Sequence, residues 1–249
     1  MATYGTDTTL PPLVIVHGLF GSGRNWRAIA RRMAARRRVV TPDLRNHGGS
    51  FHAASHGYEE MAADLARLVE ALGGEADMIG HSMGGKAAMV LALTRPKMLR
   101  RLVVADIAPV AYDHSQAHLV EAMRVLEPGQ FESRAAADAA LARHVDDPHL
   151  RAFLLQSLDL TAGKWRLNLE VLARDMPRIT GFPPVHGRFT GPTLFLSGAE
   201  SSYVLPTHRE RIKLLFPNAR FAKIPGAGHW LHAERPRAFI AVAEAFLND

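Results

Sequence analysis

Residues 77–93 read Asp77-Met-Ile-Gly-His-Ser-Met-Gly-Gly-Lys-Ala-Ala-Met-Val-Leu-Ala-Leu93. The run from Asp77 to Gly80 predicts a buried strand, and the stretch from Met83 to Leu93 predicts a helix. Between them Gly80-His-Ser-Met-Gly84 fits G-x-S-x-G, with Gly85 directly after. A strand that turns sharply into a helix holds the Ser82 hydroxyl at the tip of the turn. Glycines two positions to either side keep side chains from colliding across it. The helix then aims its N-terminal amides at any charge developing on a nearby oxygen. A plain N-cap serine in a glycine-rich turn is the competing reading. The strand–turn–helix setting favours a nucleophile.

The same alternation continues on both sides. Residues 13–17 (Leu-Val-Ile-Val-His) read as a buried strand, 25–35 as a helix, 39–44 as a strand and 58–72 as a helix. That last helix places Met61, Leu65, Leu68, Val69 and Leu72 on one face, the spacing of a helix packed on a sheet. Residues 102–107 form another strand. Doubly apolar strands alternating with helices predict an α/β fold with a mostly parallel sheet covered on both faces. After Pro109 the rhythm breaks. From about 114 to 179 the patterns are mainly helical (117–126, 134–145, 149–158 and 169–176), interrupted by a strand-like Lys164-Trp-Arg-Leu167. A strand at 191–197, a helix at 207–215, a strand at 220–224 and a helix at 236–247 then restore the pattern. The expected division is a core over 1–110 and 189–249 with a helical cap over 111–188.

Composition narrows the chemistry. The 249 residues suit one large domain or a domain with an insertion, and 47% hydrophobic against 22% charged is a globular balance. There is no cysteine, which excludes disulfides, Cys-ligated metal and a thiol nucleophile, and points to a reducing compartment. The N-terminal Met1-Ala-Thr-Tyr-Gly-Thr-Asp7 has neither the basic nor the apolar region of a secretory signal. No apolar run is long enough to span a membrane. A cytoplasmic location is expected. The net charge of +6 rests on arginine, and its densest run is Arg31, Arg32, Arg36, Arg37 and Arg38. These are expected to be the solvated face and last turn of a helix. No aromatics are interleaved for stacking on bases, so nucleic acid is not an expected partner.

Further motifs complete a candidate site. His17-Gly-Leu-Phe-Gly21 ends the first strong strand and matches an H-G-x-x-G element that supplies an oxyanion donor. The Leu19 amide is the first choice, paired with that of Met83, and Phe20 is the fallback. No G-K-[ST] or G-x-G-x-x-G closes the loop, so it is not a phosphate cradle. His229, in Gly226-Ala-Gly-His-Trp230, sits on a small-residue loop between the last strand and last helix, where a general base would serve. His81 is expected to be structural. His114 and His118, at i, i+4, have no third ligand and read as a solvated helix face. Two carboxylates compete to orient His229: Asp106, which ends a buried strand and so needs a partner, and Glu200, in a loop with Ser201 and Ser202.

Taken together, His17-Gly-Leu-Phe-Gly-Ser22, Asp43-Leu-Arg-Asn-His-Gly48, Gly80-His-Ser-Met-Gly-Gly-Lys86, Asp106-Ile-Ala-Pro109 and Ala227-Gly-His-Trp230 resemble the α/β-hydrolase superfamily, and more narrowly its YbfF-type small acyl-ester esterases. Trp165-Arg-Leu-Asn168 adds to the likeness inside the helical insertion. The resemblance implies the α/β-hydrolase fold, Ser82 as nucleophile, His229 as base and Asp106 as acid, with no cofactor or metal. It implies a small-molecule acyl ester as substrate, and for some members acyl thioesters. The expected activity is hydrolysis of short- to medium-chain esters through an acyl-enzyme. Phe153, Leu154, Leu155 and Leu158 of the insertion are expected to wall the acyl pocket. Because only about a dozen residues precede the first strong strand, the family's leading antiparallel hairpin is expected to be missing or reduced. Alternatives on the same residues are a thioesterase, a haloperoxidase-like enzyme or a C–C hydrolase. From another class, the chain could be a weakly catalytic ligand sensor or partner-binding module.

Overall fold

The computed structural model describes residues 1–249. The chain opens with β1 (Ala2–Tyr4), β2 (Leu13–Val16), α1 (Arg27–Met33), β3 (Val39–Thr41) and α2 (Tyr58–Ala71). There follow β4 (Ala76–His81), α3 (Met83–Thr94) and β5 (Leu99–Ala105). A mostly helical stretch comes next: α4 (Ala117–Arg124), α5 (Arg134–Leu141), α6 (Pro148–Leu154), the small antiparallel pair β6 (Leu158–Asp159) and β7 (Lys164–Trp165), α7 (Leu169–Arg174) and α8 (Met176–Thr180). The chain closes with β8 (Thr193–Gly198), α9 (Arg209–Leu215), β9 (Ala219–Ile224), α10 (Leu231–Glu234) and α11 (Pro236–Asn248).

Seven strands form one sheet in the order β1-β3-β2-β4-β5-β8-β9. Every neighbouring pair is parallel except β1, which runs antiparallel to β3 through Ala2–Thr41 and Tyr4–Val39. The sheet's antiparallel strand is β1, three residues long and at the edge. Alternation along the central strands separates two cores. Val14, Val16, Met78, Val104 and Phe195 face α2, α3 and α9, whereas Leu13, Ile15, Ile79, Val103 and Leu196 face α1 and α11. Helix α3 is buried from Met83 to Leu93, which explains a composition apolar all round rather than striped.

Two features direct the chain to its site. After β2 the chain steps to one side of the sheet to reach β3, and then to the other side of β2 to reach β4. The loops leaving β2 and β4 therefore diverge and leave a crevice at the carboxyl ends of the strands. At the opposite end Asp77 is fully buried and paired with Arg37 and Arg100, its Oδ1 accepting from Arg100 Nε at 2.9 Å. The expectation of a solvated arginine run holds for Arg31, Arg32 and Arg36, which are exposed, and fails for Arg37, which is buried. The helix ends at Met33, so Arg37 enters the sheet region and meets the carboxylate that β4 carries inside. No helix is long and apolar enough to cross a membrane.

Candidate active site

Ser82 stands between β4 and α3 with φ 52° and ψ −120°, a left-handed backbone that costs a non-glycine residue of order 1–3 kcal/mol. The turn can be this tight because Gly80 and Gly84 meet across it. A Cβ on Gly80 would lie 2.5 Å from the Gly84 carbonyl oxygen, and one on Gly84 would lie 2.4 Å from that of His17. Ser82 N–H donates to the Ala105 carbonyl at 3.0 Å and so stays tied to β5.

The His229 loop reaches the same point from the far side of β8. His229 Nε2 lies 3.1 Å from Ser82 Oγ, and its Nδ1 lies 2.7 Å from Asp106 Oδ2. Asp106 follows β5 directly, is fully buried, and has φ 52°. Its Oδ1 accepts from the Gly198 N–H at 3.1 Å, and its Oδ2 also accepts from the Ser201 hydroxyl. A carboxylate with these donors is an acceptor only, so the proton shared with His229 belongs on Nδ1. That leaves Nε2 free to accept the Ser82 proton. Glu200, the competing carboxylate, is exposed, and its backbone N–H donates to the Ala227 carbonyl.

The imidazole is held from several sides. The Tyr203 ring stacks on it at 4.0 Å between centroids, and His81 Nε2 donates to the His229 carbonyl at 2.9 Å. Burial, with His232 and His229 alongside, pushes His81 well below the ordinary imidazole range and keeps it neutral. Ser201 and Tyr203 were not legible as site residues: a Ser-Ser-Tyr loop reads as solvated until its contact with Asp106 is seen. His114 Nε2 meets the Tyr203 hydroxyl at 2.8 Å.

The β2 loop lies against this group. Gly18 C=O accepts from His17 Nδ1 at 2.8 Å and from Gly21 N–H at 3.1 Å. A trans peptide points its N–H opposite to its C=O, so these two bonds orient the Leu19 N–H of the same peptide away from them. Leu19 N–H has no acceptor within the protein, and Met83 is the first residue of α3, where helix geometry supplies none. Phe20 N–H, the fallback donor, is taken up by His47 Nε2 at 3.2 Å.

A cavity of about 300 Å³ opens onto Ser82, with apolar walls from Leu119, Leu150, Phe153, Met176 and Ile179. Of the four residues expected to wall it, Phe153 does so, while Leu154, Leu155 and Leu158 turn into the core. Helix α6 ends at Leu154, so the helical register expected for Leu158 is lost. Lys86, one turn beyond Ser82, also borders the cavity. It donates to the carbonyls of Thr180 and Gly181 at 2.8 and 2.6 Å, and burial pushes it down to about 7.

The chain matches the family described as alpha/beta hydrolase fold over residues 11–236. It is 43% identical to the mouse sn-1-specific diacylglycerol lipase ABHD11, over 97% of this chain and 82% of that one. It is 37% identical to Esterase YbfF of Escherichia coli, over 96% of this chain and 93% of that one. A solved marine microorganism esterase superposes with a TM-score of 0.92 at 36% identity, over 98% of both chains.

Proposed function

The chain belongs to the α/β-hydrolase family, and from that premise we propose that it is a serine esterase working through Ser82, His229 and Asp106. Esterase and lipase names among its relatives support a hydrolase of the esterase/lipase kind. The observation that carries the finer reading is the continuous pair of contacts from Ser82 Oγ to His229 Nε2 and from His229 Nδ1 to Asp106 Oδ2.

Ser82 Oγ attacks the ester carbonyl carbon while His229 Nε2 takes the hydroxyl proton. Charge gathers on the carbonyl oxygen, where the Leu19 and Met83 amides receive it. The C–O bond to the alcohol breaks as His229 returns the proton to the departing oxygen. Water then adds to the acyl-enzyme, with His229 as base again, and the carboxylic acid leaves Ser82. Asp106 holds the Nδ1–H tautomer and stabilises the imidazolium.

Residues 111–188 act as a cap over this site. The limited cavity and its Phe153, Leu119 and Leu150 walls favour short- to medium-chain acyl groups. A fluorophosphonate probe with peptide mapping tests the reading. Covalent label on Ser82, absent from Ser82→Ala, is expected. A folded protein that resists the probe while cleaving esters would overturn it. A panel of p-nitrophenyl esters of rising length, with an acyl-CoA and a diacylglycerol alongside, separates esterase from thioesterase and lipase.

A further inference from the structure

The segment Asp43-Leu-Arg-Asn-His-Gly48 has no part in the chemistry just described, yet it is fastened to the site at several points. Asp43 Oδ1 accepts from Gly23 N–H at 2.7 Å, and its Oδ2 accepts from Gly49 N–H at 2.9 Å. Asn46 Oδ1 accepts from Ala53 N–H at 2.8 Å and from Asn168 Nδ2 at 3.1 Å, and the Asn46 carbonyl accepts from Asn168 N–H. His47 pairs with Leu167 in an isolated antiparallel bridge. The segment thus braces the β2 loop on one side and the stretch 165–168 on the other.

His47 is the point where the brace reaches the loop. It is fully buried, and its Nε2 accepts the Phe20 N–H at 3.2 Å. Its Nδ1 lies 3.0 Å from the Arg45 carbonyl, which can only accept, so the proton is on Nδ1 and Nε2 carries the lone pair. Burial, together with the neighbouring His56 and His17 rings, holds the group well below the ordinary imidazole range and therefore neutral. Phe20 itself has φ 64°, a conformation a bulky residue keeps only when its surroundings impose it. They do so from both ends, since the Phe20 carbonyl accepts from the Ser157 hydroxyl at 3.0 Å. The Leu19 amide is one peptide away.

We propose that His47 is a positioning residue for catalysis: as a neutral acceptor it pins the Phe20 peptide in its left-handed turn, and so aims the Leu19 N–H at the oxygen that becomes negative. This rests on the reading of Leu19 and Met83 as oxyanion donors. The role belongs to the transition state, because the bond fixes a donor direction and touches no part of the substrate's chain. His47→Phe, which fills the space without an acceptor, should lower kcat by about 10²-fold, the loss that follows displacement of one oxyanion donor. KM should change little. His47→Gln, whose side-chain oxygen can accept the Phe20 N–H, should restore kcat to within about tenfold of wild type.

The experiment measures kcat and KM separately for the three proteins and for Ser82→Ala, with melting curves to establish folding. Loss of kcat in His47→Phe with rescue in His47→Gln supports the proposal. Equal activity in all His47 variants overturns it, and so does equal loss in both folded variants. If Ser82→Ala is dead and the His47 variants are fully active, this inference alone fails. If Ser82→Ala retains turnover, the esterase reading itself has failed. Should His47→Phe not fold, nitrogen NMR on the labelled wild-type protein decides. An Nδ1–H tautomer with a coupling across the bond from the Phe20 amide nitrogen to His47 Nε2 is expected. An Nε2–H tautomer would exclude the role.

Discussion

Ser82 and Asp106 leave adjacent parallel strands directly after a paired couple, His81 and Ala105, and both adopt a φ of 52°. The serine and its distal carboxylate are thus twin strand-end kinks on one sheet edge. Each kink turns a side chain off the strand axis, and the His229 ring fits between the two. The geometry depends on register: a slip of one residue between β4 and β5 would send one of the two side chains to the other face.

The kink at Ser82 should be visible in stability. Ser82→Ala and Ser82→Gly are both expected to be inactive, but the glycine variant no longer strains a Cβ at positive φ. It should be the more stable of the two by about 1 kcal/mol, the reverse of the order inside a helix. Urea unfolding of both variants measures this. An alanine variant more stable than the glycine one would mean the turn is relaxed in solution.

Replacing Asp106 with Asn should lower turnover by about 10⁴-fold, since an amide can hold the wrong histidine tautomer. Glu200→Gln should stay within about threefold of wild type, because its exposed carboxylate has no contact with His229. Ser201→Ala removes one donor to Asp106 and should cost about tenfold or less. Steady-state rates on one ester rank the three. A larger loss in Glu200→Gln than in Asp106→Asn would reassign the acid.

Two buried histidines, His56 and His232, contribute to the response to acid. Burial pushes His56 down to about 4 and His232 down to about 3, from an ordinary value of 6.5. Above that value both folded and unfolded chains hold them neutral, and the stability is fully present. As pH falls below it the unfolded chain takes up protons first, and each histidine removes about 1.4 kcal/mol per pH unit until its folded value is reached. Stability should therefore fall from pH 6.5 toward 4. His232 stacks on Trp26 at 4.1 Å and its Nδ1 has no partner. His232→Phe should accordingly gain about 2 kcal/mol relative to wild type on going from pH 7.5 to 5. Denaturant melts at the two pH values test it, and an unchanged difference would show that His232 is solvated.

Phe153 narrows the cavity beside Trp230, with ring centroids 6.2 Å apart. Phe153→Ala should move the preferred acyl chain toward greater length, raising kcat/KM for long esters relative to short ones by about tenfold or more. An unchanged chain-length profile would place the acyl group elsewhere in the cavity.

The central strands were legible because β2, β4, β5 and β8 each carry an apolar run, at residues 13–16, 78–79, 102–105 and 194–196, and a buried parallel strand leaves that trace. β1 left none: three residues at an exposed edge carry no period. Arg37 looked like its neighbours in a basic run, and only Asp77, arriving from β4, distinguishes it. Ser82 and His229 stood out through local turn chemistry. Ser201, Tyr203 and His47 did not, since each is marked only by a contact with a partner that the fold supplies. His47 finds its amide 27 residues away. Such partnerships depend on loop direction, which periodicity does not encode.

The ion cluster of Arg37, Asp77 and Arg100 lies where the strands begin, while the strained turns lie where they end. Arg100 also donates to the Leu247 carbonyl and so anchors the final helix at that far pole. The molecule is polarised: one end is a foundation cross-linked by buried charge, and the other is a rim of exchangeable loops. Substitutions at that rim leave untouched the charges that hold the strands in order at the other end. Directed evolution aimed at new esters should find its tolerated substitutions crowded at that rim and nearly none around Asp77.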